Sequence, residues 1–139
     1  GVRSFAGRDE VGDFLSQVDI LVSLLPNTAQ TRDMIDAALL SRLPRGAMLV
    51  NAGRGEQVCE TSLLAALDSG HLTGAVLDVF RAEPLPAGSR LWDHPMVTVT
   101  PHAASEASRT EQAAYLAGVI HEIEHGTPPA LLYDARRGY

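Results

Sequence analysis

Four short apolar runs constrain any fold of this chain: DILVSLL at 19–25, AMLVN at 47–51, GAVLDVF at 74–80 and VTVT at 97–100. Each is shorter than a typical helix, and the first stops at Pro26-Asn27. Continuous apolar runs of this length, bounded by turn signals, read as strands buried on both faces, as in parallel sheets. Helical spacing fills the intervals. Residues 33–43 bring Met34, Ile35, Leu39, Leu40 and Leu43 near a 3.6 period and end at the turn signal Pro44-Arg45-Gly46. ETSLLAALDSG at 60–70 has capping candidates in front, a leucine stripe, and Gly70 where a helix-ending glycine belongs. A helix is also predicted over 8–17, after a short extended piece at 2–5, and a long one over 105–125. Strand–helix alternation of this kind predicts a parallel, helix-flanked sheet with right-handed crossovers. The 139 residues suffice for one domain with a moderate core.

In an open parallel sheet, ligands bind beyond the carboxyl ends of the strands. Here those positions hold Leu25-Pro26-Asn27, Asn51-Ala52-Gly53-Arg54, the segment from Asp78 to Glu83, and Pro101-His102. His102 at a strand end suits general acid or base work, because an imidazole titrates near neutrality; a lone histidine there also reads as a structural group. Glu83 is either a solvated loop carboxylate or, if it meets His102, the group that orients the imidazole and favours its protonated form. Arg54 lies between two glycines, as an exposed turn residue or as a bidentate clamp for a carboxylate. Asp78 reads equally as a turn cap or as an acceptor for an amide of a bound cofactor.

Composition narrows the class of partner. Hydrophobic residues make up 45% and charged residues 20%, which is ordinary globular composition. The net charge of −6 offers no basic footprint for nucleic acid or an anionic membrane. All eleven basic residues are arginines, scattered along the chain. The single Cys59 forms no internal disulfide, so a reducing cytoplasm is the default compartment, and no apolar run approaches a membrane span. His121 and His125, four apart on one helix face, lack an evident third metal ligand, so no metal site is expected; His71 and His94 read as structural. No G-x-G-x-x-G occurs in the sequence.

LVNAGRGEQV (49–58), GAVLDVFRAEPLP and VTVTPHAASEA resemble, in order and spacing, three signature regions of the D-isomer-specific 2-hydroxyacid dehydrogenases, and LLPNTAQTRDMI resembles a fourth. The segments GVRSFAGRDE, LLAALDSGHLTGAVLDVF, LWDHPMVTVTPH and DARRGY are similar to the bacterial branch of that family that reduces glyoxylate and hydroxypyruvate. The likeness covers essentially the whole chain. It implies the C-terminal half of a doubly wound, Rossmann-type sheet with flanking helices and a trailing C-terminal helix. Residues 1–110 would be part of an NAD(P)-binding domain, and 111–139 a helix and tail returning towards a substrate domain. The phosphate-binding glycine-rich half would precede Gly1, so the chain alone is expected to be inactive.

By the same likeness, Arg54 would bind the carboxylate and carbonyl oxygen of a small 2-oxo acid, His102 would protonate that oxygen as hydride arrives, and Glu83 would hold His102. Leu25, Pro26 and Thr31 would lie beside the adenosine half of the cofactor. Asn51, Ala52 and Gly53 would form the turn under the nicotinamide, with Asp78 and Ala104 beside it. Gly53 would let that turn pass close beneath the ring, and Gly55 would let the chain leave towards the next helix. Many members carry aspartate where this chain has Cys59, which leaves the helix cap to Thr61 or a neighbour. NADP(H) is the expected cofactor, with NAD(H) the alternative, and a homodimer is the expected assembly. The rival readings are a D-lactate or D-3-phosphoglycerate dehydrogenase and a non-catalytic nicotinamide-sensing module.

Overall fold

The computed structural model describes residues 1–7, 9–105, 108–129 and 131–136. The elements run α1 (Val11–Leu15), β1 (Ile20–Ser23), α2 (Ala37–Leu40), β2 (Ala47–Asn51), α3 (Glu60–Asp68), β3 (Leu72–Leu77), β4 (Val97–Val99) and α4 (Arg109–Glu124), with a 3-10 turn at Gly55–Gln57 between β2 and α3. The four strands form one parallel sheet in sequential order. This is the architecture of the C-terminal half of a Rossmann-type domain.

Alternation along the strands selects which side chains are buried. Leu21, Leu49, Ala75 and Leu77 point into a core shared with Leu40 of α2 and with Leu63, Leu64 and Leu67 of α3. Leu49, Leu63 and Leu72 are fully enclosed, and each such side chain contributes about 1.5–3 kcal/mol of burial free energy. The other face differs from the expectation of strands buried on both sides. Ile20 and Val22 remain 54% and 53% exposed, because α2 and α3 pack on the opposite face and no residue of α4 is buried.

Several predicted elements are shorter, for identifiable reasons. The first strand ends at Ser23, and Leu24 and Leu25 are already exposed. The third spans Leu72–Leu77, not 74–80. A register shift at Ala47/Met48 lets Leu72 pair with Ala47, while Val79 and Phe80 leave the ladder and stay buried. The helix over 33–43 shrinks to Ala37–Leu40. The Ile35 backbone instead bridges the second loop, its N–H donating to Gln57 O at 2.9 Å and its carbonyl accepting from Cys59 N–H at 3.0 Å. Asp36 then caps α2 through Leu39 N–H at 2.9 Å. Residues 2–5 join no strand, α1 is confined to Val11–Leu15, and α4 starts at Arg109. Of the stretch predicted to begin α4, Glu106 and Ala107 lie outside the described residues.

α3 ends as its sequence indicates. Gly70 takes φ +67°, and the N–H groups of Gly70 and His71 reach Leu67 O and Ala66 O, the two hydrogen bonds of a Schellman ending. At its start, Cys59 occupies the N-cap position without a side-chain cap hydrogen bond. Thr61 does not supply the cap, its hydroxyl lying 3.3 Å from Cys59 Sγ. The Ser62 hydroxyl donates to the half-buried Cys59 Sγ at 3.1 Å instead; that bond and the one with Thr61 lower the thiol pKa.

Gly55 is where two segments meet backbone to backbone. A Cβ there would stand 1.9 Å from the carbonyl carbon of Phe80 and 2.4 Å from Arg81 N. The glycine is needed for absence of volume, not for turning towards the next helix. Gly55→Ala is expected to destabilise the fold by about 1–3 kcal/mol or more, as overpacking against an unyielding backbone does. Gly88→Ala, with nothing within 4 Å of the added carbon, should stay within about 0.5 kcal/mol of wild type. Denaturant midpoints of the two variants measure the difference.

Candidate active site

The loops leaving the four strands lie side by side at the carboxyl edge of the sheet, and backbone pairing continues past the strand ends. Ala52 N–H donates to Ser23 O at 3.1 Å, Asp78 N–H to Asn51 O at 3.0 Å, and Thr100 N–H to Leu77 O at 3.0 Å. Each loop therefore starts from a fixed point.

Asp78 organises the loop after β4. Its Oδ1 accepts from the Thr100 hydroxyl and from Ala103 N–H at 2.9 Å, and its Oδ2 accepts from Ala104 N–H at 2.9 Å. Burial works against the charge, but the Thr100, Ala104 and Ala103 donors together hold the carboxyl below its ordinary pKa. Of its two sequence readings, the turn-cap geometry is present. Inside this turn His102 adopts φ +54°, a left-handed conformation that costs a non-glycine residue about 1–2 kcal/mol. Its N–H donates to Asp78 O at 2.9 Å, so one aspartate holds the strained turn through both main chain and side chain.

His102 and Glu83, 19 positions apart, meet at 2.8 Å between Nδ1 and Oε2. The other oxygen, Oε1, accepts from Phe80 N–H at 2.9 Å, and the Glu83–Pro84 peptide is cis. The His102 hydrogen bond first, and then the Phe80 N–H, hold the Glu83 carboxyl below its ordinary pKa, with a further contribution from the charge of Arg54. An ionised Glu83 against Nδ1 assigns the proton to that nitrogen and leaves Nε2 with no partner among the described residues. Beside the pair lies a hollow of about 310 Å³, lined in part by Phe80, Leu85, Trp92, Val99 and Pro101.

Arg54 is exposed at the end of β2. Its guanidinium donates to Gly53 O at 2.7 Å, and it enters no ion pair among the described residues. Asn51, buried at 1% exposure, holds the turn from inside: Nδ2 donates to Arg54 O at 3.1 Å and Oδ1 accepts from Gly53 N–H at 3.2 Å. Gly53 is also required within the chain itself, because a Cβ there would lie 2.9 Å from Leu25 O and 2.8 Å from Gln57 Oε1. The turn passes close beneath the Leu25 loop of its own chain. Leu25, Pro26 and Ala104 are exposed and Ala52 is half-buried. The Thr31 hydroxyl is directed inward, donating to Pro26 O at 2.7 Å and shaping that loop.

Sequence reasoning missed the residues that join these loops. Arg81 donates to Asp33 Oδ1 and to the carbonyls of Glu56 and Val58, fastening the Glu83 loop to the segment that follows Arg54. Gln57 does the same between the Arg54 turn and the Leu25-Pro26 loop. Both lie within the signature regions LVNAGRGEQV and GAVLDVFRAEPLP, but neither carries a periodicity that shows which distant loop it joins. The remaining histidines have local partners. His71 meets Leu40 O, His94 meets Asp68, and the rings of His121 and His125 lie 4.0 Å apart. No cluster of three metal-ligating groups, and no helix long and apolar enough to cross a membrane, occurs among the described residues.

Comparison with known proteins places this geometry in a family. Residues 3–104 match the model of the NAD binding domain of the D-isomer specific 2-hydroxyacid dehydrogenases. A D-isomer specific 2-hydroxyacid dehydrogenase from Xanthobacter autotrophicus Py2, crystallised with NADPH and MES, is 46% identical over 97% of this chain and 56% of its own, with a TM-score of 0.92. The NADPH-dependent glyoxylate/hydroxypyruvate reductase of Sinorhizobium meliloti, solved with NADP and sulfate, is 40% identical over 94% of this chain and 43% of its own, with a TM-score of 0.89. A probable 2-hydroxyacid dehydrogenase from Rhizobium etli CFN 42, solved with NADP, HEPES and L(+)-tartaric acid, is 37% identical over 100% of this chain and 45% of its own, with a TM-score of 0.91. The chain thus spans about half the length of these structures. On the family match, and on the strand-end residues that carry it, the chain belongs to the D-isomer specific 2-hydroxyacid dehydrogenase family.

Proposed function

We propose that this chain forms the catalytic half of an NADP(H)-dependent reductase of small 2-oxo acids, converting glyoxylate to glycolate and hydroxypyruvate to glycerate. The observation that carries it is the His102–Glu83 pair, 2.8 Å apart, at the same sheet edge as Arg54, a cation with no ion pair among the described residues. The likeness to a reductase of those substrates supports the choice of oxo acid, and the NADPH and NADP complexes of the relatives support the cofactor. Residues 1–110 belong, in this reading, to the cofactor domain, and 111–139 return to a substrate domain. The whole protein works as a cytoplasmic homodimer.

The residues fit a nicotinamide cofactor. The exposed surfaces of Leu25 and Pro26 receive its adenosine side, and the Asn51–Gly53 turn with Ala104 its nicotinamide side. Asp78 serves that side by holding the turn on which Ala104 stands. When bound, the cofactor supplies the hydride, that is, the electron pair for the carbonyl carbon. Arg54 grips the substrate carboxylate with a two-pronged hydrogen bond and draws charge towards the carbonyl oxygen. His102 donates the proton from Nε2 to that oxygen, completing the alcohol. Glu83 keeps the ring oriented through its hydrogen bond with Nδ1, so that Nε2 faces the substrate.

In the full-length protein, NADPH oxidation with glyoxylate or hydroxypyruvate is the expected activity. His102→Ala should lower kcat by about 10²–10⁴-fold with a small change in KM, the usual contribution of a positioned general acid. Arg54→Ala should raise KM and lower kcat together. Steady-state rates at 340 nm decide it: near wild-type kcat/KM in both variants overturns the site assignment. The 139-residue chain alone should show no turnover above background, and measurable reduction by it would overturn the division of labour proposed above.

The ion pair also has a pH signature. Because Glu83 titrates lower in the fold than an unfolded glutamate does, at about 4.3, its stabilising contribution is complete above that pH. It disappears as pH falls through the lowered folded value. Glu83→Gln should therefore flatten the acid limb of stability against pH, and denaturant titrations between about pH 2.5 and about pH 6 measure that slope. An unchanged slope would show that the pair contributes nothing in solution.

A further inference from the structure

Gln57 is fully enclosed, with 0% exposure, between the loop assigned above to the cofactor and the turn assigned to the oxo acid. Each of its four hydrogen-bonding positions is filled. Oε1 accepts from the Ser23 hydroxyl at 2.8 Å and from Arg54 N–H at 3.4 Å. Nε2 donates to the carbonyls of Leu25 and Pro26, the latter at 3.1 Å. A primary amide has two donor protons and two acceptor lone pairs, so its orientation is fixed. Turning it over would aim the NH₂ at the Arg54 N–H and the oxygen at two carbonyls. The surroundings leave no slack, since a Cβ on Gly53 would stand 2.8 Å from Oε1.

An apolar side chain of the same size would fill this space. It would leave the Ser23 hydroxyl, the Leu25 and Pro26 carbonyls and the Arg54 N–H without this partner, whereas the amide satisfies all four and fixes their directions. Two of the groups it holds belong to the loop bearing the adenosine side of the cofactor, and the third belongs to the residue that grips the oxo acid. The geometry points to Gln57 as a positioning residue that locks the Leu25-Pro26 loop to the Arg54 turn, so that cofactor and 2-oxo acid are received in one fixed relation. This rests on the reductase reading of Arg54, His102 and Glu83. Gln57 itself touches neither ligand, and its influence passes through three backbone groups.

A near-isosteric charge substitution separates this role from packing. Gln57→Glu keeps the volume and, while protonated, keeps one donor for the two carbonyls. Once ionised it presents only acceptors to them. A glutamate buried in this way titrates near pH 8–9 by order of magnitude, about four units above its ordinary value. Measured in the full-length protein and taken as the ratio to wild type at each pH, KM for glyoxylate and Kd for NADPH should rise together in Gln57→Glu. The rise should be small near about pH 6 and about tenfold or more by about pH 9. Gln57→Met, apolar and of similar size, should raise both constants by a factor that does not change with pH. If the glutamate variant fails to fold, Gln57→Met tests the role by the split between constants: raised KM and Kd with kcat nearly unchanged supports it, and a loss confined to kcat or to stability overturns it. In both variants kcat at saturation should fall much less than in His102→Ala.

Ratios near one for both variants across the pH range would overturn the role of Gln57 while leaving the reductase reading intact. So would a glutamate defect that is independent of pH, which is the mark of packing alone. A wild-type protein that reduces no 2-oxo acid would overturn the reductase reading, and this inference with it.

Discussion

The buried carboxylate of Asp78 is the constraint on which the carboxyl edge depends. It stands one residue past β3 and accepts hydrogen bonds from three donors in the loop after β4, while its own carbonyl takes the N–H of His102. A buried carboxylate without donors would be neutralised or would unfold its surroundings. Ionised and satisfied, it ties two neighbouring strands together beyond the reach of their ladder. That tie is what allows a histidine to persist at φ +54°, since backbone strain survives only where the surroundings over-determine it. The same turn puts His102 Nδ1 against Glu83. One ionised side chain thus fixes both the main chain and the side-chain direction of the residue read as proton donor.

A second set of contacts joins the loops to one another, and it works by close approach. Gly55 admits the Phe80–Arg81 peptide, Gly53 admits the Leu25 main chain, Arg81 reaches three acceptors around Asp33 and residues 56–58, and Gln57 fills the gap between the first two loops. Packing of this kind transmits displacement, because interiors at crystal-like density have no free volume to absorb it. Arg54 and Glu83 are therefore parts of one body, although their side chains share no hydrogen bond.

Much of this was legible in the sequence and some was not, for physical reasons. Strand–helix alternation gave a parallel sheet, because an apolar run of four to seven residues has few other ways to be buried. Resemblance in the signature regions identified the family, and position at the strand ends gathered Arg54, Asp78, Glu83 and His102 on one edge. Element limits were harder. Met34 and Ile35 fit a helical period, yet Ile35 is held extended by a bridge to Val58 that no local pattern encodes. Val79 and Phe80 look like strand because they are apolar, yet their burial lies past the end of the ladder, with Phe80 in the core cluster. Gly53 and Gly55 announced a tight turn when their requirement was contact with distant backbone. Gln57 announced nothing, since its four partners come together only in the folded chain.

Charge is resolved locally at this edge in a way that net charge conceals. The chain carries −6 overall, a balance that disfavours anionic ligands at long range. At physiological ionic strength, however, charges more than about 8 Å from a bound anion are largely screened. The field that matters is set by the few groups within that distance. Both carboxylates nearby are already committed: Asp78 to two amides and a hydroxyl, Glu83 to an imidazole and an amide. Arg54 is the contrasting case, a cation whose described partner is only the neutral carbonyl of Gly53. The hydrogen bonds to Asp78 and Glu83 leave both acids negative, so what sets Arg54 apart is no net positive excess but a guanidinium that forms no ion pair among the described residues. A small molecule with a planar carboxylate is the ligand that such a guanidinium receives best, since two parallel N–H···O bonds match a carboxylate's geometry.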